Sequence, residues 1–268
     1  MAERDYIRFL GTAGARFAVA RQLRHSGGTL VRIGGRSIML DPGPGTLALC
    51  ASSRPRIDVA ALDAVVLTHA HIDHSNDTSV LLDAMTRGGW TRRGALFAPK
   101  DCLQGPNRVV MSYLRDFPER IVPIEPRTRY ALDGVAFSTS VRHRHGVETY
   151  GIRFHGPRGD IAFCVDTGWF DGLPDCYADA DTLVINVVLR ERHPTGRILH
   201  LGADEAETLI GEARPRRAVL THFGTPMLDA GPDEVARDMA GRLGIEVVAA
   251  RDDMILDLDC APPDGGAP

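Results

Sequence analysis

No stretch of this chain approaches ~18 consecutive apolar residues, which excludes a membrane-spanning helix. The opening Met1-Ala2-Glu3-Arg4-Asp5 has no apolar core of the signal-peptide kind. The expectation is a soluble, cytoplasmic protein with no membrane partner. Cysteine is sparse: Cys50, Cys102, Cys164, Cys176 and Cys260 are scattered, odd in number and nowhere spaced C-x-x-C. That argues against a disulfide framework and a thiolate zinc site. Net positive charge is missing too; the balance is −4, so no global field draws the chain to nucleic acid. Of 31 basic residues Lys100 alone is lysine. Such a skew commonly follows base composition, although arginine is also the better bidentate phosphate ligand.

What is present is ordinary in bulk. The 268 residues, 44% hydrophobic and 25% charged, suit a globular α/β protein. We expect one domain over residues 1–260. The Pro- and Gly-rich tail 261–268 is expected to fray. Tyr6–Leu10, Gly28–Ile33 and Ser37–Leu40 read as strands, with Gly34-Gly35 as a hairpin turn, and Val65–Thr68 as another. Ser75–Arg87 reads as a helix capped by Ser75, Asn76 or Asp77. Tyr150–Phe154 and Ile161–Val165 read as a hairpin, and Leu183–Leu189 as a buried strand. Asp204–Arg214 and Pro232–Leu243 read as helices, the second opened by proline and closed by Gly244. Ala218–Thr221, Glu246–Ala249 and Met254–Leu258 complete the strands. The pattern suits two stacked sheets with helices outside.

Four metal-binding side chains crowd into six residues at His69-Ala70-His71-Ile72-Asp73-His74. Imidazole and carboxylate together suit Zn²⁺ and its first-row neighbours. One strand end cannot wrap all four around a single ion. Two ions are the economical solution, His69 and His71 on one, Asp73 and His74 on the other. Val66-Leu67-Thr68-His69 recurs as Val219-Leu220-Thr221-His222, and Cys164-Val165-Asp166 ends a similar run. Three apolar strands thus each deliver a ligand-type residue where the strand stops.

With Gly11-Thr12, Leu40-Asp41-Pro42-Gly43-Pro44-Gly45 and His145, these residues fall in an order that resembles the metallo-β-lactamase superfamily. The segments His145-Gly146-Val147-Glu148-Thr149-Tyr150-Gly151, His200 with Asp204-Glu205-Ala206, and Thr221-His222-Phe223-Gly224 resemble its ribonuclease Z and cyclic-phosphodiesterase branch. The resemblance spans nearly the whole chain. It implies the αβ/βα four-layer sandwich and a dinuclear site with Zn²⁺ first, Mn²⁺ or Fe²⁺ as alternatives. It further implies that His69, His71 and His145 hold one ion, that Asp73, His74 and His222 hold the other, and that Asp166 bridges them. Two divalent ions against Asp73, Asp166 and a bridging hydroxide leave a charge of roughly +1, which favours an anionic substrate.

The same resemblance makes Asp73 a candidate general base and His200 a proton donor or transition-state stabiliser, a capping histidine being the alternative. It places Asp41 against a ligand histidine rather than on metal. His143 competes with His145 as third ligand of the first ion. His25, His155 and His193 read as solvated loop residues, His193 with an option on phosphate. Two departures stand out, the first being Ser75-Asn76-Asp77 where motifs of this type often carry a glycine. The protruding basic arm of many ribonuclease Z relatives is missing, since only a hairpin fits between Gly146 and Val165. Residues 88–129 read either as a lid or as a solvated excursion.

The expected activity is therefore phosphodiester hydrolysis of a small or cyclic nucleotide-like substrate by a metal-bridging hydroxide, with tRNA not expected. The alternatives are a ribonuclease Z-type RNA endonuclease, a thioester or lactone hydrolase, an iron-loaded oxidoreductase and a non-catalytic metal-binding protein. A homodimer is compatible with the family pattern.

Overall fold

The computed structural model describes residues 4–106 and 108–258; the expected tail 261–268 lies outside them. In chain order the strands are β1 (Tyr6–Phe9), β2 (Thr29–Ile33), β3 (Arg36–Leu40), β4 (Ala64–Val66), β5 (Ala95–Pro99), β6 (Arg120–Ile124) and β7 (Arg129–Leu132). They continue as β8 (Val135–Arg142), β9 (Tyr150–Gly156), β10 (Gly159–Cys164), β11 (Thr182–Asn186), β12 (Arg217–Thr221), β13 (Glu246–Ala249) and β14 (Met254–Asp257). The α-helices are α1 (Ala15–Ala20), α2 (Thr46–Ser52), α3 (Ile72–Ser75), α4 (Thr78–Met85), α5 (Lys100–Leu103), α6 (Ala203–Ala213), α7 (Thr225–Asp229) and α8 (Pro232–Leu243).

Two seven-stranded mixed sheets result, ordered β14-β1-β2-β3-β4-β5-β6 and β13-β12-β11-β10-β9-β8-β7. β3 to β6 run parallel in the first, and β10 to β13 in the second. Alternation along each strand sorts its side chains between two apolar layers. From β4, Ala64 and Val66 enter the layer between the sheets, while Val65 faces the layer beneath the first sheet's helices. The inter-sheet layer is joined by edge-on and tilted rings, Phe97 to Phe137 at 5.0 Å and Phe137 to Phe154 at 5.7 Å. Leu81, Leu82 and Met85 of α4 cover the first sheet's outer face. Leu209 and Ile210 of α6, with Met239 of α8, cover that of the second. Helix, sheet, sheet, helix is the expected four-layer sandwich.

Several expectations change. Residues 88–129 are not a lid or excursion throughout: β5 is buried along its length and pairs with β4, and β6 forms the sheet edge. The helix expected over Ser75–Arg87 is broken between Ser75 and Thr78, where the Asp77 amide donates to the Pro42 carbonyl at 2.9 Å. The strand expected over Leu183–Leu189 stops at Asn186. Gly34-Gly35, the hairpin turn at Gly156–Gly159, Pro232 and Gly244 act as read. No helix among the described residues is long and apolar enough to cross a membrane.

Candidate metal centre

Parallel strands of both sheets end at one edge, and their last residues turn toward each other. β3 leads to Asp41, β4 to His69, β10 to Asp166, β11 to Asn186 and β12 to His222. Asp41 and His222 take positive φ, +48° and +59°. Non-glycine residues are held there only by surrounding structure, and such positions concentrate at functional sites. His71 precedes α3 with extended geometry, so Asp73 and His74 follow in a first helical turn.

Two groups of ligand atoms form, each within 4.8 Å: His69, His71, His145 and Asp166, and Asp73, His74 and His222. Asp166 Oδ2 lies 3.7 Å from His69 Nε2, 3.4 Å from His74 Nε2 and 3.9 Å from His145 Nε2. Its Oδ1 lies 3.4 Å from His222 Nε2. One carboxylate therefore faces both groups. A further grouping, Asp41 with His69 and His74, is spent otherwise: Asp41 accepts from the Thr68 amide, the Thr68 hydroxyl and His74 Nδ1.

Those hydrogen bonds decide the tautomers. Asp41 can only accept, so His74 Nδ1 carries a proton and Nε2 is the atom turned to Asp166. The Thr68 hydroxyl donates to Asp41 at 2.6 Å and so accepts from His69 Nδ1 at 3.0 Å. His145 Nδ1 donates to the Leu199 carbonyl at 3.1 Å. Ring nitrogens of different histidines then meet at short range: His145 Nε2 and His71 Nδ1 are 3.0 Å apart, His74 Nε2 and His222 Nε2 3.3 Å. About 3.3 Å is what two nitrogens on one tetrahedral ion at ~2.0–2.1 Å require. His69 Nε2 and Asp166 Oδ2 are buried with no hydrogen-bond partner among the described residues. A polar atom left so costs roughly 1–3 kcal/mol, and a divalent cation would satisfy both. The donor set fits Zn²⁺ or a first-row neighbour.

Electrostatics follow from burial and pairing. Burial holds the His69 imidazolium well below its usual range, lowers His71 and His222, and takes His145 down to about 4, so these stay neutral and ligand-ready. At His74 burial opposes the charge, but Asp166 and Asp73 outweigh it and raise the group well above normal. Burial likewise opposes ionised Asp166, yet His222, His200 and His74 keep it well below the carboxylate range.

The two contenders for the third position make different contacts. The chain turns after β8, with the His145 amide bonded to the His143 carbonyl at 3.0 Å, so the two rings diverge. His143 is buried against the Tyr177 hydroxyl at 2.7 Å and the Asp166 carbonyl at 3.2 Å, away from solvent. His145 faces His71. His200 Nδ1 sits 3.6 Å from Asp166 Oδ2, just ahead of α6. His155 is no loop residue; it lies on β9 between Ser138 at 3.0 Å and Asp160 at 3.0 Å. Side chains unread in the sequence also serve the centre. Asn186 donates its amide to Asp166 Oδ1 at 2.9 Å, and Thr68 links Asp41 to His69. A lone amide inside the apolar run Leu183–Leu189 was the available signal for the first.

Comparison with known proteins agrees with this geometry. The profile of the family described as "Beta-lactamase superfamily domain" matches residues 36–223. An uncharacterized protein of Methanocaldococcus jannaschii is 27% identical, the match covering 91% of this chain and 92% of the other. Ribonuclease Z of Mycobacterium bovis is 28% identical, over 79% of this chain and 84% of the other. The crystal structure of the metallo-beta-lactamase fold protein YhfI from Bacillus subtilis superposes with a TM-score of 0.79 at 18% identity, covering 95% of this chain and 100% of that one. With strand ends, tautomers and sequence profile in accord, the chain belongs to the metallo-β-lactamase superfamily, related to its ribonuclease Z branch.

Proposed function

We infer that the protein is a dinuclear metal-dependent phosphodiesterase acting on a small, nucleotide-like phosphodiester, with residues 1–260 as its hydrolase unit. The observation that carries this is the convergence of ring nitrogens from two imidazole groups on the one buried carboxylate of Asp166. His69, His71 and His145 would hold one ion, Asp73, His74 and His222 the other, and Asp166 would be shared. Zn²⁺ is the first choice by donor type. When bound, such ions bring the pKa of water to about 7 and offset charge on phosphoryl oxygens.

The chain's own groups do the rest. Asp73 lies 3.6 Å from His222 Nε2 and 3.9 Å from His74 Nε2, at the edge where an attacking water would lose its proton, and serves as general base. His200, whose Nδ1 lies 3.6 Å from Asp166 Oδ2, hands a proton to the departing oxygen. Between His145 and Asp166 the chain holds only the β9–β10 hairpin, and its net charge is −4. Both favour a small substrate over tRNA. The ribonuclease Z relatives support RNA cleavage as a second reading, which steep salt dependence would mark.

Hydrolysis of bis(p-nitrophenyl) phosphate by protein loaded with Zn²⁺, Mn²⁺ or Fe²⁺ tests the assignment. Asp73→Ala should lower the rate at least ~10²-fold. Equal rates from the two proteins, or none with any metal, would refute it.

A further inference from the structure

Two helices border the centre, and each exposes one large apolar side chain. Ile72, set between His71 and Asp73, is 69% exposed, and Phe17 on α1 is 71% exposed. The segment before α1 is fastened to the His222 strand end. The Phe223 amide donates to the Thr12 carbonyl at 2.8 Å, and the Gly14 amide to the Phe223 carbonyl at 3.0 Å. The fit is close enough that a Cβ on Gly14 would lie 2.3 Å from His222 Cδ2. From there α1 packs against α3, so Phe17 and Ile72 belong to one rim. A second side of the centre is bounded by residues 190–198, pinned at their end by the Leu199 carbonyl on His145. That segment exposes Arg190 and Arg197, with Arg192 held by Glu205 at 3.3 Å.

The two helices at the centre thus each expose an apolar residue, and the segment that leads to Leu199 carries exposed Arg190, Arg192 and Arg197 with Glu191 among them. Single exposed apolar residues are commonplace on protein surfaces. Here two of them stand on packed helices that adjoin the metal centre, and arginines outnumber acidic residues on the segment beyond it. We propose that Phe17 and Ile72 receive an aromatic ring of the substrate, a nucleobase, while its phosphate faces Asp166 and the arginine-bearing segment. A ring can rest flat on an exposed phenyl face without an enclosing groove, whereas an acyl chain gains little unless surrounded. The assignment rests on the phosphodiesterase reading for the chemistry, and its binding test stands apart from turnover.

Calorimetry on the zinc-loaded protein with thymidine 5′-monophosphate, hexyl phosphate and inorganic phosphate provides that test. Thymidine monophosphate should bind about tenfold tighter than inorganic phosphate. Phe17→Ala should erase most of that advantage, and Phe17→Trp should restore it. At this exposure the truncation leaves the fold intact. In turnover, Phe17→Ala should raise KM for thymidine 5′-(p-nitrophenyl phosphate) about tenfold more than KM for methyl p-nitrophenyl phosphate, with little change in kcat. An unchanged nucleotide advantage in Phe17→Ala would overturn the proposal. So would an equal loss for hexyl phosphate, which would mark an aliphatic occupant. If binding responds as expected while neither ester is hydrolysed, the ring site stands and the phosphodiesterase reading falls.

Discussion

Residues in the centre act through the nitrogen they leave free, and His143 and His145 show the difference at a separation of one residue. His145 gives Nδ1 to the Leu199 carbonyl and turns Nε2 to His71; His143 spends both nitrogens, on the Asp166 carbonyl and the Tyr177 hydroxyl. His145→Phe should therefore lose about one metal equivalent per chain, read by elemental analysis. His143→Phe should keep both ions yet unfold more easily by roughly 1–3 kcal/mol, because the Tyr177 hydroxyl is stranded. Metal loss from His143→Phe would reverse the assignment. The sequence alone could not separate the two, because their alternate spacing suits a strand, whereas β8 ends at Arg142 and a turn parts them.

Elements were legible where local pattern and tertiary role agreed. The ligand-bearing strand ends could be read because three apolar runs each stop at a ligand-type residue. β6 could not, since Pro123 lies inside Arg120–Ile124 and argues against a strand; it is tolerated because β6 is a sheet edge. β5 is five buried residues with no alternation to betray it. The break between α3 and α4 was likewise hidden, since it depends on the distant Pro42 carbonyl. Glycine meaning also depends on placement. At Gly14 an added Cβ would lie 2.2 Å from the His222 carbonyl, whereas at Gly241, inside α8, it would meet nothing within 4 Å. Gly14→Ala should destabilise by about 1–3 kcal/mol and weaken binding of the ion held by His222. Gly241→Ala should stabilise by about 0.5–1 kcal/mol. Urea denaturation with a zinc-chelator competition reads both, and a harmless Gly14→Ala would contradict the close packing.

At the scale of the molecule, the centre joins the two sheets. His69, His71, Asp73 and His74 follow a strand of the first, and Asp166 and His222 follow strands of the second. Binding confined to the native arrangement stabilises it by mass action, about 2.7 kcal/mol at a hundredfold excess over Kd. Stripping metal with a chelator should lower the melting temperature by roughly 5–10 °C, recovered on adding Zn²⁺. An unchanged melting temperature would mean that the two ligand groups are not filled together with folding.

The placement of β14 has a consequence for how the chain is made. This strand, almost the last part described, returns to the first sheet beside β1. The turn before it places Asp253 on the buried Arg8 and Asp252 on Thr12. During synthesis β1 emerges with one flank unzipped, and it stays so until β14 has been made. The nascent chain therefore carries an adhesive strand edge until β14 arrives. Residues 252–257 act as the latch that ends that exposure.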